Sequence, residues 1–242
     1  MPAAIVTGSS RGIGRAVALR FARDGYDVAV NYYERDDRAD EVAAEVRNFG
    51  QEAIAVGADV SDPDDADRLV SETVTAFGGV DHVVNNAGID QHVYTAELSP
   101  EDFDHVMDVN VNGAFNVTKF ALPHLEESGD QPSVTNVSSI LAHTGAPIEC
   151  HYASSKSALV GLTKSHAADF APDIRVNAVA PGHVETEMTA DRTEREEIEQ
   201  LAEIPVGRFG QPEDIAEAVA YLRDAGFVTG ETLNVNGGEL MR

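Results

Sequence analysis

The chain has very little positive charge for its size. Of its 242 residues only 17 are lysine or arginine, against 42 aspartates and glutamates, and the formal net charge is -25 at pH 7. The lysines are Lys119, Lys156 and Lys164. A protein that binds nucleic acid electrostatically needs a basic face to neutralise phosphates. The composition therefore excludes that class, and we expect no nucleic-acid partner.

Cysteine and long apolar runs are also scarce. Cys150 is the single cysteine, so an intrachain disulfide is impossible and nothing indicates an oxidising compartment. No apolar run reaches the ~18 residues that a membrane-spanning helix needs. The sequence begins Met-Pro-Ala-Ala-Ile-Val-Thr and shows no basic and then apolar leader. These features predict a cytoplasmic protein without a membrane partner.

The acidic residues are concentrated in segments that we expect to be exposed. They crowd residues 34–45, 62–67 and 191–199. A net charge this far from zero destabilises a compact chain by self-repulsion unless ions screen it, a property connected with halophilic proteins. We therefore predict that the protein works at high salt. The alternative is an ordinary acidic cytoplasmic protein, in which the shortage of lysine has no physical explanation.

Short apolar segments rich in β-branched residues alternate with longer amphipathic ones. This alternation predicts an α/β fold with one Rossmann-like, doubly wound parallel sheet of about seven strands and helices on both faces. No linker composition interrupts the chain, so we expect residues 1–242 to form a single domain. Strands are predicted at residues 3–7, 27–31, 53–59, 82–85, 133–138, 175–180 and 231–234, and helices at 12–24, 36–49, 63–77, 100–125, 150–170 and 212–222.

Residues 185–210 differ from the rest of the chain in their heavy charge and few apolar positions. They follow the end of a predicted strand, where loops often cover a site. This position predicts a lid over the substrate. An exposed helix is the alternative.

A glycine-rich turn follows the first predicted strand. Residues 7–14 read Thr-Gly-Ser-Ser-Arg-Gly-Ile-Gly and open the first helix. Glycines allow a tight turn and let backbone N–H groups approach a pyrophosphate at the positive end of the helix. The segment lacks the Gly-Lys-Ser/Thr ending of a P-loop, which disfavours a nucleoside triphosphate. It predicts a dinucleotide site with contacts from Gly8, Ser10, Arg11, Gly12, Ile13 and Gly14.

The end of the second predicted strand bears on which dinucleotide binds. An enzyme that selects NAD usually has an acid there for the ribose 2′-hydroxyl, whereas this chain has Asn31. Arg11, Asn31, Tyr32 and Arg35 could instead receive a 2′-phosphate through charge-assisted hydrogen bonds. We therefore expect NADP(H) to be preferred. NAD(H) stays possible, because acids are frequent in residues 34–37.

Small and polar residues follow other predicted strands. Asp59 ends the third and is expected to bond the adenine, and Val60 follows it. Asn-Asn-Ala-Gly ends the fourth at residues 85–88. Ligands of open α/β sheets bind outside the carboxyl ends of the strands, so these residues should meet at one crevice. The set expected to contact the cofactor there is Asp59, Val60, Asn86, Ala87, Gly88, Pro181 and Gly182.

Tyr152 and Lys156 lie four residues apart in a predicted helix. Positions i and i+4 share a face, so the ammonium should lie beside the phenol and favour its ionised form. Such a short pattern is by itself more often a plain helix with a tyrosine and a solvated lysine. Its place at the predicted crevice favours a proton-transfer pair.

Together these residues resemble the short-chain dehydrogenase/reductase family over essentially the whole chain. The resemblance rests on the glycine turn at residues 7–14, Asn-Asn-Ala-Gly at 85–88, Tyr-x-x-x-Lys at 152–156 and Pro-Gly at 181–182. It implies an NAD(P)-dependent oxidoreductase that interconverts ketones and secondary alcohols. It also implies a catalytic tetrad of Asn110, Ser139, Tyr152 and Lys156.

The resemblance assigns a role to each member of the tetrad. Tyr152 is expected to be the general acid in reduction, while Lys156 lowers its pKa and holds the nicotinamide ribose. Ser139 orients the carbonyl oxygen, with Ser138 as the alternative, and Asn110 anchors a water in a proton relay. Tyr152 and Lys156 thus also contact the cofactor, and the positions of Val184 and Thr186 resemble those that hold the carboxamide.

The C-terminal part is similar to 3-oxoacyl thioester reductases of the acyl-carrier-protein and acyl-CoA type. Sugar and secondary-alcohol dehydrogenases share many of its features, so such a dehydrogenase is the alternative function. A non-catalytic dinucleotide sensor is a further alternative, although it would be expected to lose part of the tetrad. The resemblance implies a homotetramer with a small ketone or acyl thioester as substrate.

One departure concerns the carrier of the acyl group. Carrier-protein reductases of this kind have basic residues near the mouth of the site, whereas the corresponding residues 126–130 and 171–173 are acidic here. Like charges slow the encounter with an acidic carrier. A CoA thioester is therefore expected to suit the protein at least as well.

The histidines are expected to have lesser roles. His143 and His183 are candidates for the substrate pocket, with solvated loop histidines as the alternative. His151 adjoins Tyr152 but should face another direction, because adjacent helical positions do not share a face. The eight histidines form no His-x-x-x-His pattern, so we assign no metal.

Overall fold

The computed structural model describes residues 1–129, 131–187 and 193–241, with only the backbone for Glu194 and Glu196. It contains a seven-stranded sheet in the order β3-β2-β1-β4-β5-β6-β7, and every neighbouring pair is parallel. The predicted fold is confirmed. The strands are β1 (Ala3–Val6), β2 (Asp27–Tyr32), β3 (Ala53–Gly57), β4 (His82–Asn85), β5 (Ser133–Val137), β6 (Arg175–Pro181) and β7 (Thr232–Val235).

Helices cover both faces of this sheet. One buried cluster joins α1, α2 and α9 to the strands, and another joins α3, α5 and α7 to the opposite face. Strands buried on both faces explain the nearly continuous apolar runs in the sequence. The helices are α1 (Gly12–Arg23), α2 (Asp36–Asn48), α3 (Pro63–Phe77), α4 (Pro100–Met107), α5 (Gly113–Glu127), α6 (Leu141–Thr144), α7 (Cys150–Phe170), α8 (Glu194–Ala202) and α9 (Pro212–Asp224).

The prediction of one continuous helix at residues 100–125 is wrong. A π-helical turn (Asp108–Asn112) separates α4 from α5. Within this turn the side chain of Asn110 is buried and bonds to neighbouring segments. Such turns insert an extra residue into a helix and are frequent at functional sites. The short helix α6 was also absent from the predictions.

The strand order reverses between β1 and β4, whose following connections pass to opposite faces. A crevice forms beyond the carboxyl ends of strands at such a switch point. This edge of the sheet is therefore where the predicted site residues should meet.

Within the described ranges, no helix combines the length and apolar character needed to cross a bilayer.

Candidate active site

A cleft of about 560 Å³ lies at the carboxyl edge of the sheet. Its lining contains most of the residues that the sequence singled out, drawn from the turns after β1 to β6 and from α7. The predicted site residues among them are Gly8, Ser10, Arg11, Gly12, Ile13, Asn31, Tyr32, Asp59, Val60, Asn86, Ala87, Gly88, Ser139, Tyr152, Lys156, Pro181, Gly182, Val184 and Thr186.

The glycine turn after β1 is held against the end of β4. The Thr7 hydroxyl accepts hydrogen bonds from the backbone N–H groups of Asn86 and Ala87, each at 2.9 Å. The Asn86 amide in turn donates to the carbonyls of Thr7 and Gly8. A Cβ on Gly14 would lie 2.5 Å from the Gly8 carbonyl oxygen, so the turn tolerates only glycine there. Two predicted cofactor segments thus form one rigid unit.

Asn31 supports this glycine turn from the end of β2. Its Oδ1 accepts from the N–H of Gly8 at 3.1 Å, and its Nδ2 donates to the carbonyls of Val56 and Ala58. The side chain is buried and its hydrogen-bonding groups are engaged by backbone. The described contacts are structural, and a phosphate contact by Asn31 stays a prediction.

Asp59 has a similar local engagement beyond β3. Its Oδ1 accepts from the N–H and the hydroxyl of Ser61, at 3.0 and 2.7 Å. The neighbouring Val60 carbonyl accepts from the Asn116 amide at 3.1 Å. These bonds fix the rim of the cleft, while the expected adenine contact stays a prediction.

The two serines after β5 have different partners. Ser138 donates to the carbonyl of Lys156 at 2.8 Å and so attaches α7 to the end of β5. Ser139 instead hydrogen-bonds the Tyr152 side chain, and its hydroxyl also accepts from the N–H of Leu141 at 3.1 Å. This geometry favours Ser139 over Ser138 as the serine that acts with the tyrosine.

Lys156 is buried and lines the cleft. Its Nζ donates to the Val137 carbonyl at 2.9 Å and lies 5.4 Å from the centre of the Tyr152 ring. A Cβ on Gly88 would lie 3.4 Å from the same Nζ, so the turn after β4 approaches the lysine closely. Burial lowers the pKa of Lys156 to about 8, and the negative charge of Asp90 opposes this shift.

The pKa of Tyr152 is raised, which contradicts the expected lowering by Lys156 in this structure. Loss of water around the phenol has the largest effect, followed by the negative charges of Asp90 and Glu149. The hydrogen bond from Ser139 acts in the opposite direction. Because burial and two carboxylates prevail, the phenol is held in its protonated form.

Asn110 joins three parts of the site from the π-helical turn. Its Oδ1 accepts from the N–H of Ile89 at 2.8 Å, and its Nδ2 donates to the Ile89 carbonyl at 3.0 Å and to the Ser155 hydroxyl at 2.9 Å. A Cβ on Gly88 would lie 3.2 Å from Asn110 Oδ1. The side chain therefore fixes the turn after β4 against α7, beside Lys156.

The residues after β6 close another side of the cleft. The Thr186 methyl lies 3.6 Å from the position a Cβ on Gly12 would take, next to the glycine turn. Val184 is buried and forms a parallel bridge with Gly210, so the two ends of the predicted lid meet. Residues 188–192 of that segment lie outside the described residues, and the lid stays a prediction.

A cluster that sequence reasoning missed lies near the tyrosine. Asp90, His92 and Glu149 place ligand atoms within 4.8 Å of one another, a donor set that a cation could use. His92 Nε2 lies 3.3 Å from Asp90 Oδ2 and 3.6 Å from Glu149 Oε1. Asp90 and His92 follow β4 while Glu149 precedes α7, so only the fold brings them together. The charges of Asp90 and Glu149 act on the Tyr152 phenol, so the cluster belongs to the electrostatic surroundings of the site.

The three histidines considered from the sequence, His143, His151 and His183, occupy different environments. His183 Nδ1 lies 2.8 Å from Glu239 Oε1, and His143 lies on α6. His151 is fully buried in α7 and is not part of the cleft lining. In the described part of the chain neither of its ring nitrogens has a hydrogen-bond partner.

Comparison with known proteins agrees with this geometry. A family model described as Enoyl-(Acyl carrier protein) reductase matches residues 8–239. The 3-oxoacyl-[acyl-carrier-protein] reductase of Staphylococcus aureus is 40% identical over 243 residues, which cover 98% of each chain. The chain belongs to the short-chain dehydrogenase/reductase family. As a member of this family the protein is an oxidoreductase that acts on ketone and alcohol groups with a nicotinamide dinucleotide.

Other short-chain dehydrogenases match about as well. Glucose 1-dehydrogenase 2 of Bacillus subtilis is 40% identical over 241 residues, covering 97% of this chain and 93% of that one. The crystal structure of a dehydrogenase/reductase from Sinorhizobium meliloti 1021 superposes with a TM-score of 0.94 at 39% identity, covering 99% and 95% of the chains. Family membership therefore fixes the reaction type more firmly than the substrate.

The residues present fit a dinucleotide. Gly8 and Gly12 adopt φ values of +60° and +56°, which let the backbone turn closely around a ligand. The N-cap residue of α1, Arg11, makes no side-chain capping bond, so the first-turn N–H groups remain suited to an anion. In this family member the glycine turn would hold the pyrophosphate, and Tyr152 and Lys156 would hold the nicotinamide end.

Proposed function

We propose that the protein is an NADP(H)-dependent reductase that converts the ketone of a 3-oxoacyl thioester into a secondary alcohol. The observation that carries this proposal is the meeting of Ser139, Tyr152 and Lys156 in the cleft that the glycine turn also lines. The similarity to the Staphylococcus aureus 3-oxoacyl-[acyl-carrier-protein] reductase supports the substrate class.

Tyr152 is the proposed general acid. The cofactor, when bound, supplies the hydride to the carbonyl carbon. The raised pKa of Tyr152 keeps its proton in place at neutral pH, ready for transfer to the carbonyl oxygen. Ser139, which bonds the same phenol, would donate to the carbonyl oxygen and orient it.

Lys156 and Asn110 have supporting roles in this proposal. The Lys156 ammonium would stabilise the tyrosinate left after proton transfer and hold the nicotinamide ribose. Asn110 keeps the turn at Gly88 and the helix at Ser155 in register around the lysine. A water near Asn110, as the family resemblance suggests, would return a proton to the site.

The carrier of the acyl group is argued from the charge around the cleft. The acidic residues 126–130 and 171–173 precede β5 and β6, and their described parts therefore lie at the sheet edge opposite the cleft. Within one chain they are not at the mouth of the cleft, so the expectation that they face the carrier there is wrong. The carboxylates of Asp90 and Glu149 nevertheless add negative charge near Tyr152. An acidic carrier protein gains no attraction from these groups. We propose that a CoA thioester serves at least as well as a carrier-bound one.

A sugar or secondary-alcohol dehydrogenase is the second candidate function. Carboxylates accept hydrogen bonds from hydroxyl groups, and the pair Asp90 and Glu149 would suit a polyol. The Bacillus subtilis glucose 1-dehydrogenase 2 is as similar in sequence as the reductases. A non-catalytic sensor is disfavoured, because the chain retains the complete tetrad.

We propose a homotetramer built on α5 and α7. Phe115 on α5 is 43% exposed and offers an apolar contact on this side of the molecule. The exposed side of α7 contains Ser154, Gly161, Ser165 and Ala168, small residues that permit close approach of another helix. These surfaces support assembly from copies of the chain. We also propose a cytoplasmic, salt-rich setting, which the net charge of -25 supports.

A substrate panel tests the function. Acetoacetyl-CoA, a sugar and simple secondary alcohols are assayed with NADPH and NADH, or their oxidised forms, at 0.1 and 2 M KCl. The proposal predicts that thioester reduction with NADPH has the highest kcat/KM. Strong sugar oxidation with poor thioester reduction would favour the second function. No turnover of any ketone or alcohol with intact cofactor binding would favour a sensor.

A further inference from the structure

Two arginines from different elements meet at one carboxylate beside the glycine turn. Arg11, the N-cap of α1, places NH1 2.9 Å from Glu187 Oε2. Arg38, in the first turn of α2, contacts Oε1 of the same carboxylate. Both oxygens of Glu187 are thus engaged by guanidinium groups that lie 27 residues apart in sequence.

This arrangement lies at the adenosine end of the cleft. The cleft lining includes Arg11 and Glu187 together with Tyr32, Tyr33 and Arg35, the residues that follow β2. The end of β2 is where the ribose 2′ position of a dinucleotide is recognised in this type of sheet. A carboxylate between two guanidinium groups takes the position that a phosphate would also take, because both anions accept paired hydrogen bonds from arginine.

We propose that Arg38 completes, with Arg11, a binding site for the 2′-phosphate of the adenosine ribose, and that Glu187 is an internal anion which this phosphate displaces. The inference rests on the proposed NADP(H) preference and adds two specificity-determining residues to it. Sequence reasoning identified Arg11 and Arg35 for this role. It missed Arg38, which lies beyond a run of acids, and Glu187, which lies 149 residues further on.

The electrostatics of the cluster favour exchange of one anion for the other. Hydrogen bonds from the two guanidinium groups lower the pKa of Glu187, and the bond from Arg38 has the larger effect. The Glu187 carboxylate is therefore charged at neutral pH. The carboxylate carries one negative charge, whereas a phosphate monoester carries ~1.5 to 2 at pH 7. The phosphate is therefore the stronger ligand for the pair. Glu187 reduces the affinity for 2′-phosphate ligands without abolishing it.

An exposed ion pair with no ligand role is the competing explanation. Pairs of this kind are common and weak. Arg15 and Glu45 provide a matched example, since they form a 2.7 Å pair between α1 and α2. They do not line the cleft. Replacing Glu45 removes the same charge from a neighbouring place and so controls for general electrostatics.

The experiment measures ligand binding and needs no catalysis. Isothermal titration calorimetry with 2′,5′-ADP and with 5′-AMP, which differ by the 2′-phosphate, gives a ratio of dissociation constants for each variant at fixed salt. We expect Glu187→Gln to tighten 2′,5′-ADP binding by about fivefold and Arg38→Gln to weaken it by about tenfold, a loss of roughly 1.4 kcal/mol. In both variants the dissociation constant of 5′-AMP should change by less than about twofold. Glu45→Gln should change the dissociation constants of both ligands by less than about twofold as well. Circular dichroism confirms that each variant is folded.

The possible results separate this inference from the proposed function. If the wild type prefers 2′,5′-ADP and neither Arg38→Gln nor Glu187→Gln alters that preference beyond Glu45→Gln, the inference is overturned and the NADP(H) proposal stands. If the wild type shows no preference and Glu187→Gln creates one, Glu187 is the internal anion but the NADP(H) preference is wrong. If neither the wild type nor any variant prefers 2′,5′-ADP to 5′-AMP, both the inference and the NADP(H) preference are wrong.

Discussion

The Asn110 side chain donates a hydrogen bond to the Ser155 hydroxyl, 2.9 Å away, and so connects the π-helical turn to the residue that precedes Lys156. The same asparagine holds both polar backbone groups of Ile89. One buried amide thus sets the distance between the turn after β4 and α7. This relationship gives Asn110 a positioning role that can be tested apart from any water it binds.

Asn110→Ala should lower kcat strongly. Loss of the amide frees the turn at Ile89 and shifts Lys156, and small misplacements in an active site can cost about 10²-fold in rate. Ser155→Ala removes one of the three bonds and should lower kcat only about threefold. Ser71→Ala, which removes the hydroxyl of an exposed serine on α3, is the control. The effect is measured by steady-state kinetics with NADPH and a ketone, together with the melting temperature of each variant. Equal kcat values for Asn110→Ala and the wild type would contradict the positioning role.

The two serines after β5 should separate into activity and stability. Ser139→Ala should reduce kcat by roughly 10² to 10³, the usual cost of a lost donor to the reacting oxygen. Ser138→Ala should instead lower the free energy of unfolding by about 1–3 kcal/mol, because the buried Lys156 carbonyl loses a donor. Urea unfolding and kinetics on both variants check this division. The assignment fails if Ser138→Ala is the less active of two equally stable proteins.

The carboxylates near Tyr152 should set the pH dependence of reduction. Reduction needs a protonated phenol, so its rate falls as pH rises through the tyrosine pKa. Asp90 and Glu149 raise that pKa, so Asp90→Asn or Glu149→Gln should lower it and move the fall in rate to lower pH.

The profile of kcat against pH for ketone reduction measures this shift. Asp173→Asn changes a carboxylate that precedes β6, at the opposite edge of the sheet, and serves as the control. We expect its profile to match the wild type. A shift to higher pH in Asp90→Asn, or equal shifts in the control, would refute the electrostatic explanation.

Much of the fold could be predicted from the sequence because its signals are local. Apolar runs fixed the strands, and the glycine turn and Tyr-x-x-x-Lys pattern located the cleft. The π-helical turn could not be predicted, since the apolar spacing of residues 100–125 also fits a continuous helix. The cluster of Asp90 and Glu149 depends on contact between distant loops. For the same reason the predicted direction of the Tyr152 pKa shift was wrong. Lys156 is four residues away in sequence, whereas the burial of the phenol and the charges of Asp90 and Glu149 that raise its pKa are visible only in three dimensions.

High salt should stabilise the protein. With a net charge of -25, screening by ions relieves repulsion among the acidic surface residues. We expect the melting temperature to rise by at least about 5 °C between 0.1 and 2 M KCl, which corresponds to roughly 2 kcal/mol for a chain of this size. Thermal unfolding followed by circular dichroism over this range gives the answer. A melting temperature that is independent of KCl would remove the case for halophilic adaptation.

The central claim is that Tyr152 donates the proton in carbonyl reduction. The most direct measurement is kcat for acetoacetyl-CoA reduction by Tyr152→Phe, with NADPH affinity determined on the same preparation by fluorescence titration. Phenylalanine keeps the ring and removes only the hydroxyl. We predict a fall of about 10² to 10⁴ in kcat, the range of a lost general acid, with NADPH binding within about threefold of the wild type. Reduction at more than about a tenth of the wild-type rate by a variant that binds NADPH normally would contradict the claim.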